Sequence, residues 1–188
     1  MKDIAYKITF FSEWHCGSGL SSGSDLDALV IKDKDGFPFI PGKTLKGLIR
    51  EAAEEIYGND APILKKLFGH FDEKRMGDSD SHSKGDAFFT NAAISDSLKS
   101  SAKELANYFY RDFASTKIGE NGIAEAHSLR KMETTIPCEL TAKIYGIDNE
   151  FITDLTQSMQ WIKRMGQNRH RGLGRCKFEI LETKEANQ

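Results

Sequence analysis

The chain has 188 residues, 39% of them hydrophobic and 29% charged, with a net charge of −2, the balance of one medium-sized globular domain able to bury a proper core. No apolar run approaches the ~18–20 residues that a membrane span needs, and the first residues lack the apolar stretch of a secretory leader. Cys16, Cys138 and Cys176 are far apart and odd in number, which excludes a fully paired disulfide framework and a CxxC metal clamp; a reducing cytoplasm is expected.

In chain order, residues 4–11 (IAYKITFF) alternate with β-branched and aromatic side chains and predict a strand. Residues 16–25, with three glycines and four serines, predict a flexible loop, and LVIKD at 29–33 a second strand. After Pro41-Gly42, the spacing of Leu45, Leu48, Ile49, Ala52, Ala53 and Ile56 predicts an amphipathic helix over 43–57, ended by Gly58 and Asn59. A short helix is expected over 61–68. Residues 72–86 hold one apolar side chain, Met76, and predict a mobile surface insertion. AFFTNAAI (87–94) reads as a strand, 98–110 as a helix, 115–128 as a loop, and 132–147 as a strand pair or bent strand broken at Pro137. A second long helix is expected over 150–165 and a last strand over 176–182. This order fits an α+β, ferredoxin-like (RRM-related) antiparallel sheet with helices on one face, carrying irregular insertions within a single domain, 1–188.

The charge is unevenly spread. Residues 163–177 hold six basic side chains, one histidine and no acid, although the net charge counts against a free-standing nucleic-acid binder. Within that stretch, Gly166, Arg169, His170, Arg171, Gly172, Gly174 and Arg175 form a loop between helix and strand. Glycines there expose N–H donors and let backbone approach a phosphate, and arginines add bidentate cationic donors. It is not a Walker loop, because GxxxxGK[ST] is absent. A second cationic segment, IPGKTLKGLIR, sets a helix N-terminus beside Lys43 and Lys46, with Arg50 one turn further along.

The pairing of IPGKTLKG with the C-terminal GLGR resembles the RAMP superfamily of CRISPR-associated proteins. WHCGSG at 14–19 looks like that family's His-x-Gly-x-Gly segment, and Leu67-Phe68-Gly69 followed by the strand at 86–89 resembles further landmarks in the same order. The resemblance runs from about residue 4 to residue 183. Residues 27–33 (DALVIKD) are similar to a segment of the backbone subunits of type III effector complexes. The resemblance implies a guide-RNA ligand contacted through its backbone, a target RNA, other effector subunits and a homo-oligomer along the RNA. It also implies a role for Asp27 in metal-dependent target cleavage, with Mg²⁺ needed only if the chain cuts; Ala28-Leu29 stand where the family has Asn-Pro. On physical grounds, Asp25 and Asp27 are loop carboxylates that composition alone reads first as solvated or capping a turn, and that are also able to hold Mg²⁺ that keeps its waters. The alternative activity is guide-RNA processing, with His15 and His170 as acid–base groups at a 2′-hydroxyl. A base-stacking RRM is a weaker option, because the aromatic pattern is missing from AFFTNAAI and CKFEILE.

Overall fold

The computed structural model describes residues 1–23, 25–71 and 82–186. Its strands are β1 (Lys2–Phe10), β2 (Phe39–Ile40), β3 (Gly69–Phe71), β4 (His82–Lys84), β5 (Phe88–Phe89), β6 (Ala92–Ala93), β7 (Tyr110–Ser115), β8 (Arg130–Thr135), β9 (Glu139–Ile147) and β10 (Cys176–Glu185). The helices are α1 (Gly42–Tyr57), α2 (Asp96–Ser101) and α3 (Ile152–Trp161). The main sheet is antiparallel in the order β10-β1-β9-β6-β2, with β5 also paired to β9; β3-β4 and β7-β8 form two separate hairpins.

Alternation decides which face is covered. Ile4, Tyr6, Ile8 and Phe10 of β1 are buried, as are Leu140, Ala142 and Ile144 of β9 and Phe178 of β10. Helices α1 and α3 pack on that face and against each other. α1 contributes Leu45, Ile49, Ala52 and Ala53, and α3 contributes Leu155 and Met159, to one continuous core. Each fully buried Leu or Ile contributes about 1.5–3 kcal/mol relative to exposure. The opposite face pairs its own charges, Lys7 with Glu139 and Lys177 with Glu179 at 2.8 and 2.9 Å.

Several elements differ from the sequence-based expectation. Residues 29–33 form isolated bridges rather than a strand. Their N–H groups turn alternately to the 16–20 loop (Leu29 to Leu20 O, Ile31 to Cys16 O) and to the Glu133 carboxylate (Val30), so no ladder develops. The expected strand at 87–94 splits into β5 and β6, and Asn91 at the break caps α1. The helix predicted over 98–110 is α2 followed by a 3-10 turn, and 110–115 crosses to pair with β8. The helix predicted over 150–165 stops at Trp161, because Ile162 turns to an extended ψ of 111°. Of the insertion predicted at 72–86, residues 72–81 lie outside the described residues, whereas His82–Lys84 pair with Gly69–Phe71. Among the described residues no helix is long and apolar enough to cross a membrane.

Candidate nucleic-acid interface

The loop predicted to bind phosphate begins where α3 ends. Ile162 and Met165 are buried and pin its first residues, and a bridge between Arg164 and Arg175 closes its neck. Inside the neck, Met165 N–H donates to Gly174 O at 2.9 Å and Gly174 N–H to Glu13 O at 2.7 Å. Gln167 N–H donates to His15 O at 3.0 Å, and Arg175 N–H to Ser12 Oγ at 2.9 Å. The loop is therefore braced along one edge by residues 12–15. Its tip is a 3-10 turn, Arg169–Arg171, entered through Asn168 at φ 56°.

The three glycines divide into two roles. A Cβ on Gly174 would lie 1.8 Å from Met165 O, and one on Gly166 would lie 2.5 Å from His15 O, so both exist for close packing within the protein. Only Gly172, at φ 93° with nothing within 4 Å of a Cβ, is bare backbone open to a ligand. The expectation that Gly166 and Gly174 offer backbone to phosphate is corrected accordingly: Gly174 has its N–H committed, and both have the Cβ position filled by chain.

The arginines also divide. Arg169 is partly buried, with Nη2 3.7 Å from Glu51 Oε1 of α1. Arg171 and His170 are exposed. Arg175 is exposed, and its guanidinium carbon lies 5.6 Å from the ring centre of Phe11, itself 51% exposed. Arg164 donates to Arg169 O at 3.3 Å.

At the start of α1, Gly42 N–H donates to Asn91 Oδ1 at 2.8 Å, and a Cβ on Gly42 would meet Phe89 O at 2.1 Å. One helix-terminal donor is thus consumed internally. Lys43 is exposed. Lys46 is half-buried beside Phe89; burial, then the neighbouring Arg50 and Lys84 charges, push its ammonium below the usual lysine range. Arg50 Nε donates to Glu54 Oε1 at 2.8 Å, and its Nη1 to Gly69 O at 3.4 Å. Arg50 is already partnered, which corrects the picture of a free basic ridge.

The histidines do not converge. His15 is 1% exposed, and the Glu133 carbonyl accepts its Nδ1–H at 2.6 Å. Nε2 has no hydrogen-bond partner and lies 3.1 Å from where a Gly17 Cβ would stand. A general base must reach the proton it removes, so the expected His15–His170 pair is corrected: His170 lines a cleft against α1, whereas His15 is interior. Burial lifts the Cys16 and Cys138 thiols to about 11 and Cys176 to about 12, which keeps them protonated and inert at neutral pH.

Asp27 and Asp25 are exposed, on the loop that precedes residues 29–33. Asp27 N–H donates to Lys131 O at 2.8 Å, and Lys131 N–H donates back to Asp27 Oδ2 at 2.9 Å. The aspartate is therefore fastened to β8 with its other oxygen left over. It lines a cleft of about 260 Å³ with Arg130, Gln167, Asn168 and Arg171. Arg130 opens β8, most of which falls in the strand pair expected from residue 132, but its pairing with β7 was not expected. The available signal was the Arg130-Lys131 pair, which lies just past the expected loop. Among the described residues no three His, Cys, Asp or Glu side chains form a metal cluster, and Asp27 is the one acid that lines this cleft. That donor set suits Mg²⁺, which is commonly bound through one or two carboxylates, its own waters and substrate phosphates.

Residues 7–177 match the RAMP superfamily. The chain is 29% identical over 211 aligned residues to the CRISPR system Cms endoribonuclease Csm3 of Streptococcus thermophilus, covering 94% of this chain and 89% of that protein. It is similar in structure to a chain of the type III-B Cmr-beta bound to cognate target RNA (TM-score 0.71, 12% identity, 95% and 96% of the two chains). It is likewise similar to a chain of the same assembly's apo state (TM-score 0.67, 11% identity, 96% and 97%). At these identities the structural likeness establishes the fold.

Proposed function

Because the chain belongs to the RAMP superfamily, we propose that it is a guide-RNA-binding backbone subunit of a type III CRISPR effector complex. It contacts RNA phosphates without reading bases, assembles with other subunits and further copies along the RNA, and works in the cytoplasm. The observation that carries this reading is the braced loop that leaves Arg171, His170, Gly172 and Arg175 exposed, with Lys43 and Lys46 on a second cationic element. Likeness to the Csm3 endoribonuclease over 94% of the chain supports it. The strand order β10-β1-β9-β6, with α1 and α3 on one face, supports a ferredoxin-like description of the core.

Target cleavage is the second part of the proposal, and Asp27 carries it. Its free carboxylate oxygen would hold Mg²⁺, whose chemistry when bound is to activate the attacking group and stabilise the leaving oxygen. The chain's own contribution is to fix Asp27 against β8 through the two Lys131 backbone hydrogen bonds. Guide processing through His15 and His170 is disfavoured by the burial of His15.

The test uses the complex assembled around this chain. Replacing Arg169, Arg171 and Arg175 together by Ala should weaken RNA binding equally across sequences and lower the salt slope by about 2–3. Asp27→Ala should abolish Mg²⁺-dependent target cutting and leave the guide bound, while Asp25→Ala changes neither. Loss of binding confined to particular base sequences overturns backbone recognition. Cutting that survives Asp27→Ala removes the catalytic assignment.

A further inference from the structure

The cleft beside Asp27 brings together parts that are distant in the chain. Arg171 and Asn168 come from the Gly/Arg loop, Arg130 from the first residue of β8, and Ser115, its pairing partner, from the last residue of β7. Both arginines are exposed. Two other candidate cations are internally matched, Arg50 by Glu54 and Arg169 by Glu51. Here, among the described residues, neither Arg130 nor Arg171 has an acidic partner. Asp27 lines the same cleft and offsets part of their charge, but Lys131 lines it as well, so three cations face one acid.

The supports are stiff. Arg171 N–H donates to Asn168 O at 2.8 Å within the 3-10 turn, and Arg130 sits in register opposite Ser115. Asn168 is tied to Met132 by its amide, Nδ2 to Sδ at 3.1 Å. Two exposed guanidiniums on a held backbone flank a polar cleft and, among the described residues, have no acidic partner, which suits one anion with several oxygens.

We infer that this cleft seats a single phosphodiester of a bound RNA strand, gripped jointly by Arg130 and Arg171. The inference rests on the RNA-binding reading of the Gly/Arg loop and adds the hairpin arginine as its partner. The seat lies next to Asp27, so it also selects which phosphate of the strand stands beside that carboxylate.

The experiment is a salt titration of the full chain with a short mixed-sequence single-stranded RNA, starting at low salt. The variants are Arg130→Ala, Arg171→Ala, the double variant, and Lys43→Ala alone and with Arg171→Ala. Thermal melts confirm that each variant is folded. A shared seat requires each arginine variant to lower the slope by about 1 and the double variant to lower it by little more than either alone, since one phosphate contact is lost once. The Lys43 and Arg171 changes should instead add, being on separate elements. If Arg130→Ala matches the parent while Arg171→Ala weakens binding, the seat is refuted and the loop reading stands. If the two arginine effects add fully, the side chains hold different phosphates and the inference fails. If neither change has an effect, the RNA-binding reading of the loop fails with it.

Discussion

The Gly/Arg loop has two flanks, and the fold sets opposite surroundings against them. Toward α1, Arg169 pairs with Glu51, and the cleft there is lined by Glu51, Glu55 and the half-exposed Trp161, whose indole N–H donates to Glu55 at 3.0 Å. Toward β8, Arg171 shares a cleft with Arg130, and the one acid present is held by backbone. Both flanks come from the same acid-free run in the sequence. A phosphate reaching Arg169 competes with Glu51, whereas among the described residues Arg171 has no acidic partner to compete. A run of like charge therefore becomes a binding surface only where the residues packed opposite leave it unmatched.

The harshest way to break this contrast is to remove the brace on which both flanks depend. Gly174→Ala forces a Cβ into Met165 O at a φ of 71°, combining overlap with left-handed strain. We expect a loss of about 3 kcal/mol or more and a melting temperature lower by roughly 10 °C, read by calorimetry. An unchanged melt would mean that the loop is not held as described.

A smaller effect separates the flanks themselves. Arg171→Ala should lower the salt slope of RNA binding by about 1, and Arg169→Ala by less than about half of that. Glu51→Gln should then make Arg169 behave like Arg171, since the surface pair that occupies it is gone. Equal slopes for both arginines in the parent background would erase the distinction.

The smallest effect lies at the other end of α1. Lys46 is depressed by burial and by the neighbouring Arg50 and Lys84 charges, so its ammonium is disfavoured in the free protein. A nearby phosphate favours the charged form, so RNA binding takes up a proton and affinity falls as pH rises through the depressed value. Calorimetry at alkaline pH in buffers of different ionisation enthalpy should detect this uptake, and Lys46→Ala should remove it.

Periodicity made the frame legible. The alternation of β1, the helical spacing of α1 and the final strand β10 stand within a few residues of their predicted places, because each buries one face of a regular element. The strand pair expected over 132–147 stands as β8 and β9 on either side of Pro137, but β7 and its pairing with β8 were not legible, because β7 is polar and partly exposed and a long loop separates it from its partner. Arg130 was missed for that reason.

The sequence alone determined that a cationic, glycine-rich loop follows the last helix and that an acid stands on the loop after the first strand, since both depend on local composition. Tertiary structure decided what those residues are for. It buried His15 under Gly17 and the Gly166 neck, spent Gly166 and Gly174 on packing, matched Arg169 and Arg50 with acids, and brought Arg130 to Arg171 beside Asp27. The physical reason is that a side chain's accessibility, and the charge left unmatched around it, are set by neighbours distant in the chain, about which local spacing carries no information.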